Sequence, residues 1–264
     1  MTAPVVRLGI QVRRDRAEEA LARLLPVLAT GAEERGMGDV VEYSLYGAAR
    51  ELPSAERLRE LAGDALVEVV HEPVEAGWER RWHEFLEPVR VGNLVIRPPW
   101  IEGVASDIVI DPGVSFGAGG HPTTRLCLRL LLDLAPRGRL CDWGAGTGVV
   151  GIAAARLGWE PVTAVELDRE ALATIRSNAA RNGVAIDVRW GDVTSEVTWA
   201  PAVVANLSRP LLVGAAERCR RPPERLLASG FLADEADEVV AAWGLREKRR
   251  LVEHGWAALE LSAS

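Results

Sequence analysis

The chain of 264 residues carries 31 Lys and Arg against 38 Asp and Glu, a formal net charge of −7, and 48% of its residues are hydrophobic. That length suits one large domain with a smaller one, or two domains of ordinary size, and the apolar fraction is ample for a packed core. The acidic balance speaks against a broad basic nucleic-acid surface, leaving room for a local patch, and it matches a basic partner better.

No apolar run is long enough to span a bilayer, and Thr2 to Asp15 lacks the basic, apolar and small-residue order of a signal peptide, so a cytoplasmic location is expected. Cys127, Cys141 and Cys219 are three in number and far apart. They offer neither a disulfide framework nor a four-cysteine zinc site, and read as thiols in helices or buried strands. No metal site is expected, because no compact ligand spacing is present.

In chain order, Val5 to Val12 alternates as a strand, and Ala17, Ala20, Leu21, Leu24 and Leu25 fall at helical spacing within Arg16 to Leu28. Gly36 to Gly38 reads as a break before a second strand, Val40 to Leu45. Ser54 is placed to cap a helix containing Leu58 and Leu61, and Leu66 to Val70 gives a further strand. With one strand poorly marked, this pattern fits a ferredoxin-like α+β domain over residues 1–74. No constellation there carries chemistry. Substrate recognition is its functional reading, and stability or dimerisation the plain one.

Residues 75–100 read as a linker helix and strand. Trp78, Trp82 and Phe85 recur at three- and four-residue intervals, which suits an aromatic staple along one helix face. Val89 to Ile96 reads as a strand ended by Pro98-Pro99.

The domain expected over residues 101–264 begins with Ile108 to Ile110 and the loop Asp111-Pro-Gly-Val-Ser-Phe-Gly-Ala-Gly-Gly-His-Pro-Thr-Thr124. So irregular a loop costs conformational freedom without adding apolar burial, which makes a binding role credible. Thr123 or Thr124 can cap the helix that follows, through Leu134. His121, alone in a Gly-Pro setting, is read as a hydrogen-bonding structural residue more readily than as a general base.

The most informative stretch is Leu140-Cys-Asp-Trp-Gly-Ala-Gly-Thr-Gly148, followed by the apolar run Val149 to Leu157. It reads as a strand, a tight glycine turn and a helix: a cofactor cradle where the backbone takes positive φ and a ligand can approach the main chain. Two registers fit. Gly144, Gly146 and Gly148 have the spacing of an S-adenosylmethionine loop, whereas Gly146, Gly148 and Gly151 satisfy the GxGxxG dinucleotide pattern. Asp142 favours the first, since a carboxylate beside the turn can take an ammonium group but repels a pyrophosphate.

Thr163 to Leu167 is the next strand, ending at Glu166, which lies 22 residues after Gly144 and is placed to accept from ribose hydroxyls. Asp168 is placed to cap the helix through Asn182. Ile186 to Trp190 is a third strand, and Asp192 beyond it can accept from an adenine amine or serve a turn. Ala202 to Ala205 is the fourth, with Asn206 at its carboxyl end. Open α/β sheets bind ligands at these ends, so Asp142, Glu166, Asp192 and Asn206 can converge on one crevice. Arg225 to Ser229 returns as strand five, and Lys248 to Val252 with Trp256 to Leu261 read as a closing antiparallel hairpin. That tail favours a Rossmann-like class I methyltransferase over a symmetric dinucleotide-binding domain.

The loop Asp111–Thr124, the cradle Cys141–Gly148, Val165-Glu-Leu-Asp168 and Val203-Val-Ala-Asn-Leu207 together resemble the ribosomal protein L11 methyltransferase (PrmA) family. Gly77-Trp-Glu-Arg-Arg-Trp-His83 and Ser229-Gly-Phe231 resemble it too, and the match weakens before Glu75. Glu166 stands where many members have Asp, and Trp143 and Ala145 replace other residues in the cradle. The resemblance implies a ferredoxin-like recognition domain joined to a class I catalytic domain. It also implies methyl transfer from S-adenosylmethionine to lysine side chains and the terminal α-amine of ribosomal protein L11. By it, Thr124, Gly144, Glu166 and Asn206 are cofactor or active-site positions, with Thr123 as the alternative hydroxyl.

The resulting expectation is in-line transfer to a neutral amine, with Asn206 and Thr124 as catalytic residues. Thr123, Thr124, Asp142, Gly144, Gly146, Gly148, Glu166, Asp192 and Asn206 are the expected cofactor contacts. Rival readings are a same-fold methyltransferase for another protein or a small amine, a nicotinamide oxidoreductase, and a catalytically silent ribosome-associated binding protein.

Overall fold

The computed structural model describes residues 5–28, 33–48, 52–73, 87–112 and 119–263. The aromatic staple expected at Trp78, Trp82 and Phe85 and the loop positions 113–118 lie outside the described residues. The chain divides into two compact units, 1–85 and 86–264. Among the described residues no helix is long and apolar enough to cross a membrane.

The first unit runs β1 (Val5–Arg13), a 3-10 turn, α1 (Ala17–Leu28), β2 (Glu33–Met37), β3 (Val40–Ala48), α2 (Ala55–Ala62) and β4 (Leu66–Pro73). The sheet order β2-β3-β1-β4, with every pairing antiparallel, is the ferredoxin-like arrangement. Its core follows from period-2 alternation: Leu8, Ile10 and Val12 lie opposite Leu45, Tyr43 and Val41, and these six side chains are buried. Buried Ala20, Leu24, Leu28 and Leu58 from α1 and α2 complete that core. Ser54 caps α2, its hydroxyl accepting from the Arg57 amide at 3.2 Å.

The break expected at Gly36 to Gly38 is corrected. Gly36 and Met37 belong to β2, the poorly marked strand, and the chain turns at Gly38 and Asp39. An edge strand needs no alternating apolar face, and Glu-Glu-Arg-Gly-Met has none.

In the second unit, the single strand expected over Val89 to Ile96 is a hairpin, β5 (Val89–Val91) and β6 (Leu94–Arg97), turned at Gly92 with φ of 57°. β6 also pairs with β7 (Ile108–Val109). There follow α3 (Pro122–Leu132), β8 (Leu140–Trp143), α4 (Val149–Arg156), β9 (Val162–Glu166), α5 (Arg169–Arg181), β10 (Ile186–Trp190) and β11 (Ala202–Asn206). The chain closes with α6 (Arg209–Arg218), β12 (Arg225–Leu232), α7 (Ala236–Trp243), β13 (Arg246–Glu253) and β14 (Trp256–Ser262).

The seven-stranded sheet has the order β10-β9-β8-β11-β12-β14-β13. Pairings from β10 to β12 are parallel, and β14 runs antiparallel to both β12 and β13. Strand order reverses direction between β8 and β11, which opens a crevice at the carboxyl ends of the parallel strands. Alternate β8 side chains enter opposite apolar layers: Leu140 joins the cluster with Leu126 and Ile152, while Cys141 and Trp143 join Leu212, Phe231 and Trp243. Burial on both faces explains why these strands are near-continuous apolar runs.

Candidate active site

The glycine turn is hung between β8 and β9. The amides of Gly144 and Ala145 both donate to the Val165 carbonyl, at 2.9 and 3.1 Å, so the chain leaves β8 by folding over the end of β9. Gly144, Gly146 and Gly148 take φ of 69°, 57° and 83°, the left-handed region that disfavours residues with a Cβ. Gly148 starts α4 with no side-chain cap, which leaves first-turn amides and the positive end of the helix dipole at the turn.

Asp142 lies beneath this turn, 2% exposed. Its Oδ2 accepts from the Gly151 amide at 2.8 Å, and a Cβ on residue 151 would stand 3.1 Å from that oxygen. Burial raises the Asp142 carboxyl to about 7, the Gly151 hydrogen bond pulling down and the Glu166 charge pushing up as smaller influences. The third glycine of the dinucleotide register is thus accounted for by Asp142 packing.

At the end of β9, Glu166 folds back toward the turn. Oε2 accepts from the Gly146 amide at 2.8 Å, and Oε1 accepts from the amides of Leu167 and Asp168 at 2.7 and 2.9 Å. Asp168 caps α5, accepting from the Glu170 amide at 2.9 Å. Asp192, two residues past β10, opens a turn in which its Oδ1 accepts from the Thr194 amide and hydroxyl at 2.8 and 2.7 Å. The Thr194 hydroxyl and amide bonds hold its carboxyl below the usual carboxylate range.

Asn206, at the end of β11, reaches across to α3: its Nδ2 donates to Thr124 Oγ1 at 3.3 Å. Thr123 turns elsewhere, with its Oγ1 2.8 Å from His121 Nδ1. The structure therefore brings Thr124, and not Thr123, to the strand-end asparagine. The expectation that Thr123 or Thr124 caps α3 is corrected: neither does, and the cap is His121, its Nδ1 accepting from the Thr123 amide at 3.3 Å. Both threonines lie inside the first turn and are buried, and α3 ends at Leu132. Burial, with the Arg125 charge second, lowers the His121 imidazole to about 4, which keeps Nδ1 an acceptor.

Three residues that frame the site carry no obvious chemical signature. Leu207 follows Asn206 and covers Gly144, where a Cβ would overlap its side chain. Gly230 (φ 100°) lies against the Leu207 backbone, which its chain neighbour Ser229 holds by a 2.8 Å bond from the Leu207 amide to the Ser229 carbonyl. Asn178, fully buried in α5, donates to the carbonyls of Thr147 and Asp111, both at 3.0 Å, and accepts from the Asp111 amide at 2.9 Å. It ties the glycine turn to the start of the long loop. Its signal in sequence is an asparagine at an otherwise apolar helical position, four residues before Asn182.

A Rossmann-like sheet of this order, with an antiparallel terminal pair, a glycine turn after β8, an acid ending β9 and an asparagine ending β11, defines a class I methyltransferase. The chain belongs to the ribosomal protein L11 methyltransferase (PrmA) family, whose model matches residues 40–263. It is 36% identical over 239 residues to the ribosomal protein L11 methyltransferase of Heliobacterium modesticaldum, covering 84% of this chain and 74% of that protein. Its identity to the protein of the same name from Chromohalobacter salexigens is 37% over 249 residues, covering 84% of this chain and 81% of that one. Among solved structures, a ribosomal protein L11 methylase from Lactobacillus delbrueckii subsp. bulgaricus shares the fold. The TM-score is 0.59 at 24% identity, covering 66% of this chain and 97% of that one.

Proposed function

We propose that the chain is an S-adenosylmethionine-dependent protein N-methyltransferase that modifies ribosomal protein L11 in the cytoplasm, at lysine side chains, the terminal α-amine, or both. The observation that carries the reading is the Asn206–Thr124 hydrogen bond at the mouth of the crevice. With Nδ2 committed to Thr124, the carboxamide oxygen of Asn206 is the atom left to meet an incoming amine.

The residues present suit the donor. The turn at Gly144, Gly146 and Gly148 carries no side chain, and the uncapped start of α4 favours a carboxylate such as that of a methionine moiety. Glu166 is assigned to the ribose hydroxyls and Asp192 to the adenine amine through Oδ2, while Asp142, expected from sequence to meet the ammonium, is buried beneath the turn and is assigned to holding its shape. When bound, S-adenosylmethionine supplies a methyl group already activated on a sulfonium sulfur. The protein's part is to position and desolvate the acceptor. Asn206 Oδ1 accepts from an N–H of the neutral amine and aims its lone pair, while Thr124 fixes the amide plane. Withdrawal from water favours the neutral form of a lysine.

Residues 1–74 are assigned to recognition of the protein substrate, and the net charge of −7 suits a basic partner. The test is transfer of labelled methyl from S-adenosylmethionine to purified L11, with mass mapping of the modified nitrogens. Labelled lysines or a labelled amino terminus are expected. Cofactor binding with no transfer to L11, but transfer to another protein or amine, would move the substrate; neither binding nor transfer would end the enzyme reading.

A further inference from the structure

The start of α3 is held from the far end of the chain. β13 and β14 are joined by His254 and Gly255, with φ of 49° and 79°, the left-handed pair of a two-residue hairpin turn. Glu253 and Trp256 flank that turn as directly paired residues, so both side chains leave the same face of the hairpin.

Both meet α3. Arg125 Nε donates to Glu253 Oε1 at 2.8 Å, across 128 residues of sequence, and a second Arg125 nitrogen reaches the same oxygen. Arg129 Nη1 lies 2.7 Å from Oε2. The Glu253 side chain is only 16% exposed, and although burial pushes its carboxyl up, Arg125 and Arg129 hold it below the usual range. The third arm of Arg125 donates to the Gly120 carbonyl, just before the helix. Beside this, the Trp256 ring meets the imidazole of His121, the α3 cap, edge-on at 5.0 Å between centroids. β13 also grips the other end of α3 through Arg249 and Asp133.

We propose that Glu253 and Trp256 are positioning residues for the methyl-transfer site: they set where α3 begins and so bring Thr124 Oγ1 to Asn206. The hairpin is paired with β12 through β14, and β12 lies beside β11, which carries Asn206. The same sheet therefore supplies Asn206 directly and Thr124 through the hairpin tip. A helix bearing one half of a reacting pair needs such a hold, because a shift of about 1 Å in a site of this kind costs on the order of a hundredfold in rate.

The inference rests on the proposed site for its kinetic consequence, and its structural content is tested separately. In full-length Glu253→Ala, amide hydrogen exchange at Thr123 and Arg125 is expected to quicken by about tenfold or more while the Gly144–Gly148 turn is unchanged. With labelled S-adenosylmethionine and purified L11, kcat is expected to fall about tenfold with the cofactor KM within about twofold. Glu253→Gln, which keeps an acceptor for Arg125, recovers most of both, and Trp256→Phe falls between. The double variant Glu253→Ala/Thr124→Ala is expected to be no slower than Thr124→Ala alone. Unchanged exchange in Glu253→Ala, or rate losses that multiply in the double variant, overturns the proposal. Wild-type chain that transfers no methyl group would instead overturn the reading of the site, and the exchange comparison would still decide the inference.

Discussion

The Asp142 carboxylate and the Gly151 amide, nine residues apart in the chain, meet at 2.8 Å beneath the glycine turn. This pair joins β8 to the first turn of α4 from inside the protein, where Gly148 offers no side chain to do so from outside. The contact is close-fitting at residue 151, where a Cβ would stand 3.1 Å from Oδ2 and push the carboxyl by a few tenths of an ångström. One glycine run thus serves two neighbours, the outer crevice with three residues and the buried carboxylate with the fourth.

A carboxyl raised by burial to about 7 makes stability depend on pH. Unfolded, Asp142 ionises near the ordinary aspartate value of about 4, so between about pH 4 and pH 7 the folded chain holds a proton that the unfolded chain releases. Its contribution is fully present below that window and is lost as pH rises through it. Asp142→Asn keeps an oxygen for Gly151 and removes the titration. Urea denaturation of both proteins is expected to show the variant gaining on the wild type as pH rises from 4 to 8, by at most about 4 kcal/mol. A difference independent of pH would show that the carboxyl is not held protonated.

The Asn206–Thr124 pair makes a kinetic prediction. Asn206→Ala removes the acceptor for the amine and is expected to lower kcat by about a hundredfold, with cofactor affinity changed much less. Thr124→Ala leaves the acceptor but frees the amide to rotate, and a loss of about tenfold is expected. Thr124→Ser keeps the hydroxyl and should lie near wild type. Rate measurements with isothermal titration of the cofactor separate the two effects. Equal losses in affinity and rate for Asn206→Ala would place this residue in cofactor binding instead.

His121 gives a pH dependence of the opposite sense. Its imidazole, lowered to about 4 by burial and then by Arg125, is neutral in the folded chain where an unfolded histidine begins to protonate near 6.5. Its contribution is full above about pH 6.5 and is lost as pH falls toward 4, by up to about 3 kcal/mol. His121→Asn retains a capping oxygen without titrating. The stability gap between wild type and variant, followed by urea denaturation, is expected to change in the variant's favour as pH falls across this window.

The parts most legible in the sequence were those in which local chemistry and fold demand the same residue. Gly144, Gly146 and Gly148 must turn the chain, and Asn206 ends a run of small apolar residues that only a buried strand accommodates. The closing hairpin was legible as two short strand candidates, Lys248 to Val252 and Trp256 to Leu261, too closely spaced to be joined by anything but a tight turn. β2 was not, because an edge strand tolerates the charges of Glu33 to Arg35 and carries no periodic signal. Val89 to Ile96 hid a hairpin behind apolar residues on both sides of Gly92 and Asn93. The α3 cap falls on His121 instead of a threonine because Pro122 takes the first helical position, which puts residue 121 at the cap and both threonines inside the first turn. Glu253 gives no local signal because it acts on Arg125, 128 positions away, and Asn178, marked only as an asparagine at an apolar helical position, acts on Asp111, 67 positions away.

Leu207 sits between two glycines that need to be glycine for different reasons, and this can be measured. At Gly144, φ is 69° and an added Cβ would overlap the Leu207 side chain, meeting the methyl end of that side chain and none of its backbone. At Gly230, φ is 100° and the Cβ would lie 2.5 Å from the Leu207 carbonyl oxygen and 2.8 Å from its nitrogen, which cannot move without displacing the strand end that carries Asn206. Gly144→Ala is therefore expected to cost about 1–3 kcal/mol, chiefly left-handed strain, and Gly230→Ala more than about 4 kcal/mol. Adding Leu207→Ala should relieve part of the first cost and none of the second, because only the side chain is removed. In chemical denaturation, equal relief in the two double variants would show that the Leu207 side chain, and not its backbone, is what Gly230 accommodates.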